Sequence, residues 1–257
     1  MTYSSYTGKT EKTSQRRTER EWRQEIIKVC RLMWEKDYIA AGDGNVSVRL
    51  DDDRFLVTPS GFSKGFLQPD QLVIIDWDAQ VVGPLYGDNR NLRPSSEILL
   101  HLEAYHRRPD ILSVVHAHPP MAVALSIAGI SLAKCILPEV VATMGMIPTT
   151  RYATPSSIEG AEVIAGIIEN YDALILQRHG SVTVGDSPWN AYLKLEKVEH
   201  TAIITKTLAE LGRMNPMPPE EVAKLVARRE ASGTLPDAQA EAFCDACNVC
   251  AFPRKNT

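Results

Sequence analysis

Residues 111–118, Ile-Leu-Ser-Val-Val-His-Ala-His, are apolar until they end in two histidines, and their reading decides the fold. A short apolar run of this kind, rich in β-branched residues, reads as a buried strand. Side chains alternate faces along a strand, so if the strand holds to that point His116 and His118, two apart, point the same way. A second run repeats the pattern: Ala173-Leu174-Ile175-Leu176-Gln177-Arg178-His179-Gly180 is apolar, then histidine, then a glycine that allows a sharp turn. Strand ends facing a crevice are where α/β proteins place ligands. Three imidazoles with a fourth position open are the donor set of a catalytic zinc site. Each histidine taken singly also reads as a strand-end residue satisfied by backbone hydrogen bonds. The chain has six histidines, and the other three, His101, His106 and His200, fall on helix faces as structural or solvated residues.

Outward from these strands, helices and strands alternate. Trp22, Ile26, Ile27, Val29, Cys30 and Met33 recur at helical spacing and predict a helix from Glu21 to near Asp37. Val46, Val48 and Leu50 alternate as a strand, and the acidic turn at residues 51–53 joins it to a second strand over residues 55–58 as a hairpin. VIIDWD (73–78) and VVG (81–83) read as further short strands. RPSSE (93–97) opens a helix with Ser95 or Ser96 as its N-cap, which puts Glu97 in the first turn, where the helix dipole favours a carboxylate. Further helices are expected over residues 120–129, 159–170 and 188–211, with a helical tail beyond Pro216. The pattern predicts an α/β fold, a three-layer αβα sandwich around a mixed sheet. Residues 1–20 are polar and read as a mobile arm, and residues 21–257 as a single domain with a C-terminal helical tail.

Bulk composition excludes several classes. Hydrophobic residues make up 44% and charged residues 23% of 257, ordinary values for a globular chain with a full core. A net charge of −4 argues against a general nucleic-acid binder. No apolar run reaches the ~20 residues that span a bilayer, so no membrane association is expected. The five cysteines are an odd number, with Cys244, Cys247 and Cys250 crowded near the end. They read as no disulfide framework, and hence as a reducing, cytoplasmic setting. The FCDACNVC stretch suits either a helix-packing stripe or metal ligands, but a closed zinc site needs four donors and no fourth lies nearby in sequence.

Three polar turns resemble one another chemically: Gly44-Asn45, Ser60-Gly61 and Ser95-Ser96. Each offers backbone N–H groups beside a small polar side chain, and together they form a candidate phosphate pocket, while each alone is an ordinary turn or cap.

GNVSVR (44–49), TPSG (58–61), RPSSE (93–97), VVHAH (114–118) and QRHG (177–180), in this order, resemble the class II aldolase/adducin family from about Trp22 to Leu211. The spacing is similar too, with 19 positions from Glu97 to His116 and 61 from His118 to His179. The resemblance implies an αβα sandwich around a mostly antiparallel sheet and a homotetramer with active sites between subunits. It implies zinc on His116, His118 and His179, with manganese, cobalt or iron as substitutes. Glu97 matches the family's catalytic acid/base, also a metal ligand until substrate displaces it. Gly44, Asn45, Ser60, Gly61, Ser95 and Ser96 match its phosphate-binding positions. The implied reaction is reversible cleavage of a phosphorylated ketose to a dihydroxyacetone-phosphate-type product and an aldehyde, through an enediolate that the metal stabilises. Epimerisation of a sugar phosphate and decarboxylation of an oxo-acid phosphate are the family's alternatives on such a site.

The sequence departs from the family's sugar-phosphate aldolases at Leu137, where they carry a proton-transferring tyrosine. Glu139 is the nearest ionisable side chain, and reads either as a substitute that lines the substrate pocket or as a surface carboxylate. Tyr152 reads as structural. Adducin-like members without activity lose the histidines, which this chain keeps.

Overall fold

The computed structural model describes residues 17–85 and 87–251. Most of the expected N-terminal arm, residues 1–16, lies outside them; its end does not remain an arm. Thr18 caps helix α1 (Glu19–Glu35) through a reciprocal box with Glu21, so the helix begins earlier than its apolar pattern implies.

Six strands follow in the order β3-β2-β1-β4-β6-β5 across one sheet. They are β1 (Asn45–Arg49), β2 (Phe55–Val57), β3 (Val73–Ile75), β4 (Ser113–Ala117), β5 (Ala173–Leu176) and β6 (Gly180–Gly185). Every ladder is antiparallel; the parallel component is a single bridge between Thr149 and Ile175. The VVG segment contributes one bridge from Val81 to Ile75 instead of a strand.

Strand parity sorts the side chains into layers. Phe55, Val57, Val73, Ile75 and Val114 pack on one face with α2 (Ile98–Arg107) and with Val163, Ile164 and Ile168, just after α5 (Ile158–Glu162). Val46, Val48, Leu56, Ile74, Val115 and Ala117 pack on the other with α1 and α6 (Pro188–Glu210). This is the αβα sandwich. Between α3 (Pro120–Ile127), β5 and α6 lies a third apolar cluster. A fourth joins α4 (Pro138–Thr143) to the tail helices α7 (Pro219–Ala231) and α8 (Asp237–Cys247).

Two local expectations are corrected. The helix expected over residues 159–170 stops at Glu162 and continues as tight turns. Gly166 lies at φ +78°, and the β-branched Val163, Ile164, Ile167 and Ile168 have reduced helix propensity. The cysteines are not all unpaired: Cys135 is joined to Cys247 and Cys244 to Cys250, leaving Cys30 free and buried. Sequence separation of 112 between Cys135 and Cys247 hid the first pairing. Among the described residues no helix is long and apolar enough to cross a membrane.

Candidate metal centre

Antiparallel register brings the candidate residues together. β1 and β4 pair with Asn45 opposite His116. β4 ends at Ala117, and the His118 N–H leaves the sheet to donate to the Tyr38 carbonyl at 2.9 Å. His116 shares the parity of Val114, so it faces α2. His179 sits in the β5–β6 hairpin, turned inward by Arg178 at φ +63°. Gly180 has a different task from the turn expected of it. A Cβ there would lie 2.3 Å from the Ala117 carbonyl oxygen and 2.9 Å from a His118 ring carbon, so only glycine lets the hairpin approach the histidines.

The ligand atoms of Glu97, His116, His118 and His179 all lie within 4.8 Å of one another. Glu97 reaches His116 Nε2 at 3.0 Å and His179 Nε2 at 3.1 Å with its two oxygens. It occupies the N-cap position of α2 without capping it; the Ser95 hydroxyl instead accepts the Glu97 N–H at 3.4 Å, so neither Ser95 nor Ser96 is the N-cap.

The tautomers test whether a cation fits. His116 Nδ1 lies 2.9 Å from the Ser181 carbonyl oxygen, which can only accept, so Nδ1 carries the proton and Nε2 offers a lone pair. His118 Nδ1 faces the Asp43 carboxylate at 3.5 Å, with the same polarity. The two Nε2 lone pairs therefore meet across 3.0 Å, with the Glu97 carboxylate beside them. Such a convergence of acceptors suits a cation, and an imidazole whose outer N–H is held by a carbonyl, as that of His116 is, is oriented for a metal. Glu97, His116, His118 and His179 fit a divalent ion.

Beside this cluster opens a cavity of about 230 Å³, lined by Gly44, Asn45, Ser60, Ser95 and Ser96 as well as Glu97, His118 and His179. The TPSG and RPSSE segments meet because the Ser60 N–H donates to the Arg93 carbonyl and the Ser95 N–H to that of Thr58. Gly61 is not among the lining residues. Gly44 lies at φ +71°, with Ile39 and the His116 carbonyl oxygen packed where a Cβ would be.

Sequence reasoning missed three contributors. Lys64 lines the cavity, 2% exposed, with Nζ donating to the carbonyls of Gly42 and Phe62 at 2.7 Å each and one proton left over. Burial lowers its pKa. His101, placed on a helix face as structural or solvated, is fully buried and bonds the Asn45 side-chain oxygen through Nε2 and Ser47 Oγ through Nδ1, the latter at 2.7 Å. That fixes the Asn45 amide so its nitrogen donates to Ser95 Oγ at 3.0 Å and faces Glu97. Glu199, 5% exposed, accepts the Met121 and Ala122 N–H groups at 2.9 Å and caps α3 directly after His118, where two prolines supply no cap. Burial was the missing signal in each case.

Glu139 stands apart from the cluster. It is exposed on α4, after Leu137 at the N-cap, and lines a separate cavity of about 860 Å³ with Tyr38, Glu199 and His200. Tyr152, expected to be structural, is 51% exposed.

Known proteins carry the same arrangement of elements. The chain is 34% identical over 178 residues to an L-fuculose phosphate aldolase of Methanococcus maripaludis, covering 69% of this chain and 92% of the relative. It is 32% identical over 187 residues to a 3-oxo-tetronate 4-phosphate decarboxylase of Haemophilus influenzae, covering 71% and 86%. The crystal structure of YgbL from Escherichia coli superposes with a TM-score of 0.72 at 28% identity, covering 81% of this chain and 99% of that one. With residues 24–205 matching the class II aldolase and adducin N-terminal domain, this chain belongs to that family.

Proposed function

We propose that the chain is a divalent-metal-dependent lyase that cleaves a phosphorylated ketose reversibly to a dihydroxyacetone-phosphate-type product and an aldehyde. The observation that carries this reading is the Glu97 carboxylate wedged between His116 and His179 at the mouth of a polar cavity that holds a buried lysine. Zinc suits the three-imidazole donor set, with manganese, cobalt or iron as substitutes. When bound, such an ion supplies Lewis-acid stabilisation of the oxyanion that develops as the C–C bond breaks.

The chain's own groups supply the rest. Lys64, Asn45, Ser60, Ser95 and Ser96 bind the phosphate, Lys64 through its spare ammonium proton, while Gly44 and Gly61 shape the turns around it. Their binding energy orients the reacting carbons. Glu97 moves the proton at the carbon released by cleavage, its carboxylate freed when substrate takes its place in the cluster. A homotetramer with sites between subunits is proposed on the family resemblance, consistent with Leu193 and Ile203 of α6, 42% and 47% exposed; light scattering on the purified protein tests it.

A second reading, decarboxylation of an oxo-acid phosphate or epimerisation of a sugar phosphate, is favoured by two observations: the decarboxylase among the relatives and Leu137 in place of tyrosine. Incubation with L-fuculose 1-phosphate or with 3-oxo-tetronate 4-phosphate separates them. Dihydroxyacetone phosphate from the first supports the aldolase; carbon dioxide from the second with no cleavage of the first supports the decarboxylase.

A further inference from the structure

The cysteines form a group that the aldol chemistry does not use. Cys244 and Cys247 lie three residues apart on α8, so their side chains share one face. Asn248 then adopts a left-handed conformation, and the chain doubles back so that Cys250 comes to Cys244, Cα to Cα 4.9 Å. Cys135, from the loop before α4, meets Cys247 at a Cα separation of 6.1 Å. The loop, the helix and the turn after it therefore bring two sulfur pairs to one face of α8. The fourth donor missing from FCDACNVC in sequence is supplied by a residue 112 positions away.

We propose that Cys135, Cys244, Cys247 and Cys250 are the ligands of a structural zinc ion, of which the two disulfides are the oxidised, metal-free form. A Cys244–Cys250 link closes a loop of only six residues and constrains the unfolded chain less than the Cys135–Cys247 link does. As thiolates they fit: the C-x2-C spacing is a zinc-site spacing, and Zn–S bonds of about 2.3 Å in a tetrahedron hold sulfurs about 3.8 Å apart. An iron–sulfur cube also takes C-x2-C-x2-C plus a remote cysteine, but it spreads its ligands farther than one ion does. The 4.9 Å Cα separation of Cys244 and Cys250 suits the single ion.

The site lies among Val141, Val222, Val226, Phe243 and Val249, so the ion clasps the tail helices to α4. The two forms interconvert by oxidation. Four thiolates lose four electrons, forming two S–S bonds and releasing Zn²⁺. The electrons pass to two equivalents of a peroxide, whose O–O bonds break to give hydroxide.

The test uses full-length protein, reduced and stripped with a chelator under nitrogen, then repleted with Zn²⁺ and analysed for bound metal. Wild type should hold two zinc ions per chain, Cys244→Ser/Cys247→Ser one, and His116→Ala/His118→Ala one. A cysteine variant that holds as much zinc as wild type overturns the proposal while leaving the histidine site standing; loss only in the cysteine variant does the reverse. Should the cysteine variant fail to fold, Co²⁺ added to stripped wild type gives a second measurement. Thiolate-to-cobalt charge-transfer absorption should appear, and its absence refutes the site. Equal iron and acid-labile sulfide in protein isolated without stripping also refutes it.

Discussion

His101 offers the most quantitative test of the site's framework. It is fully buried, and burial, helped by the neighbouring His116, depresses its pKa to about 3. In the unfolded chain the same imidazole titrates near 6.5. The unfolded state therefore takes up a proton as pH falls below about 6.5, while the native state stays neutral until about 3. Stability from this residue is fully present above the unfolded pKa and drains away through that window as pH falls. Between pH 8 and pH 5 the loss is about 2 kcal/mol, from 1.36 kcal/mol per unit over roughly 1.5 units. With a urea m-value of ~3 kcal/mol/M, the unfolding midpoint should drop about 0.7 M more in wild type than in His101→Gln. Both proteins are measured in chelator and reductant so that metal uptake contributes to neither. The variant starts lower at pH 8, having lost the bonds to Asn45 and Ser47, but its curve should be flatter. Equal midpoint shifts in the two proteins would refute the neutral, buried assignment of His101.

Other substitutions probe the chemistry directly. Glu97→Gln should retain metal by elemental analysis yet lose at least about tenfold in kcat, the low end for a general acid/base; full turnover removes Glu97 from the mechanism. His179→Ala should weaken metal affinity by more than about tenfold, read by competition with a chromogenic chelator, since loss of an outer-sphere partner alone has that effect. Lys64→Met should raise KM for a phosphorylated substrate by roughly 10- to 100-fold with kcat little changed, matching a lost charge-assisted hydrogen bond of about 1.5–3 kcal/mol; an unchanged KM assigns the phosphate elsewhere. Gly180→Ala drives a methyl group to 2.3 Å from the Ala117 carbonyl oxygen. It should cost about 1–3 kcal/mol in urea unfolding and reduce metal content, as overpacking does.

Much of this architecture was legible because it rests on period-two alternation. The shared parity of Val114 and His116 follows from strand geometry, and the β1–β2 hairpin from the acidic turn between them. His179 was legible from its place after an apolar strand. What escaped depends on burial and on distant chain segments meeting. Lys64 is an unremarkable lysine in a loop until the fold closes over it, and nothing about His101 on a helix marks the Asn45 opposite it. Gly180 looked like a turn residue, whereas Arg178 makes the turn and the glycine makes room. Ser95 and Ser96 gave the right helix but the wrong cap, because Glu97 is drawn to the histidines. Cys135 could not be matched to a tail more than a hundred residues away.

The central claim is that Glu97, His116, His118 and His179 hold a metal ion. Anomalous diffraction at the zinc edge, from crystals grown with zinc, tests it most directly. A peak about 2.0–2.1 Å from the three Nε2 atoms is the expected result. A map with no peak in that cluster would contradict the account.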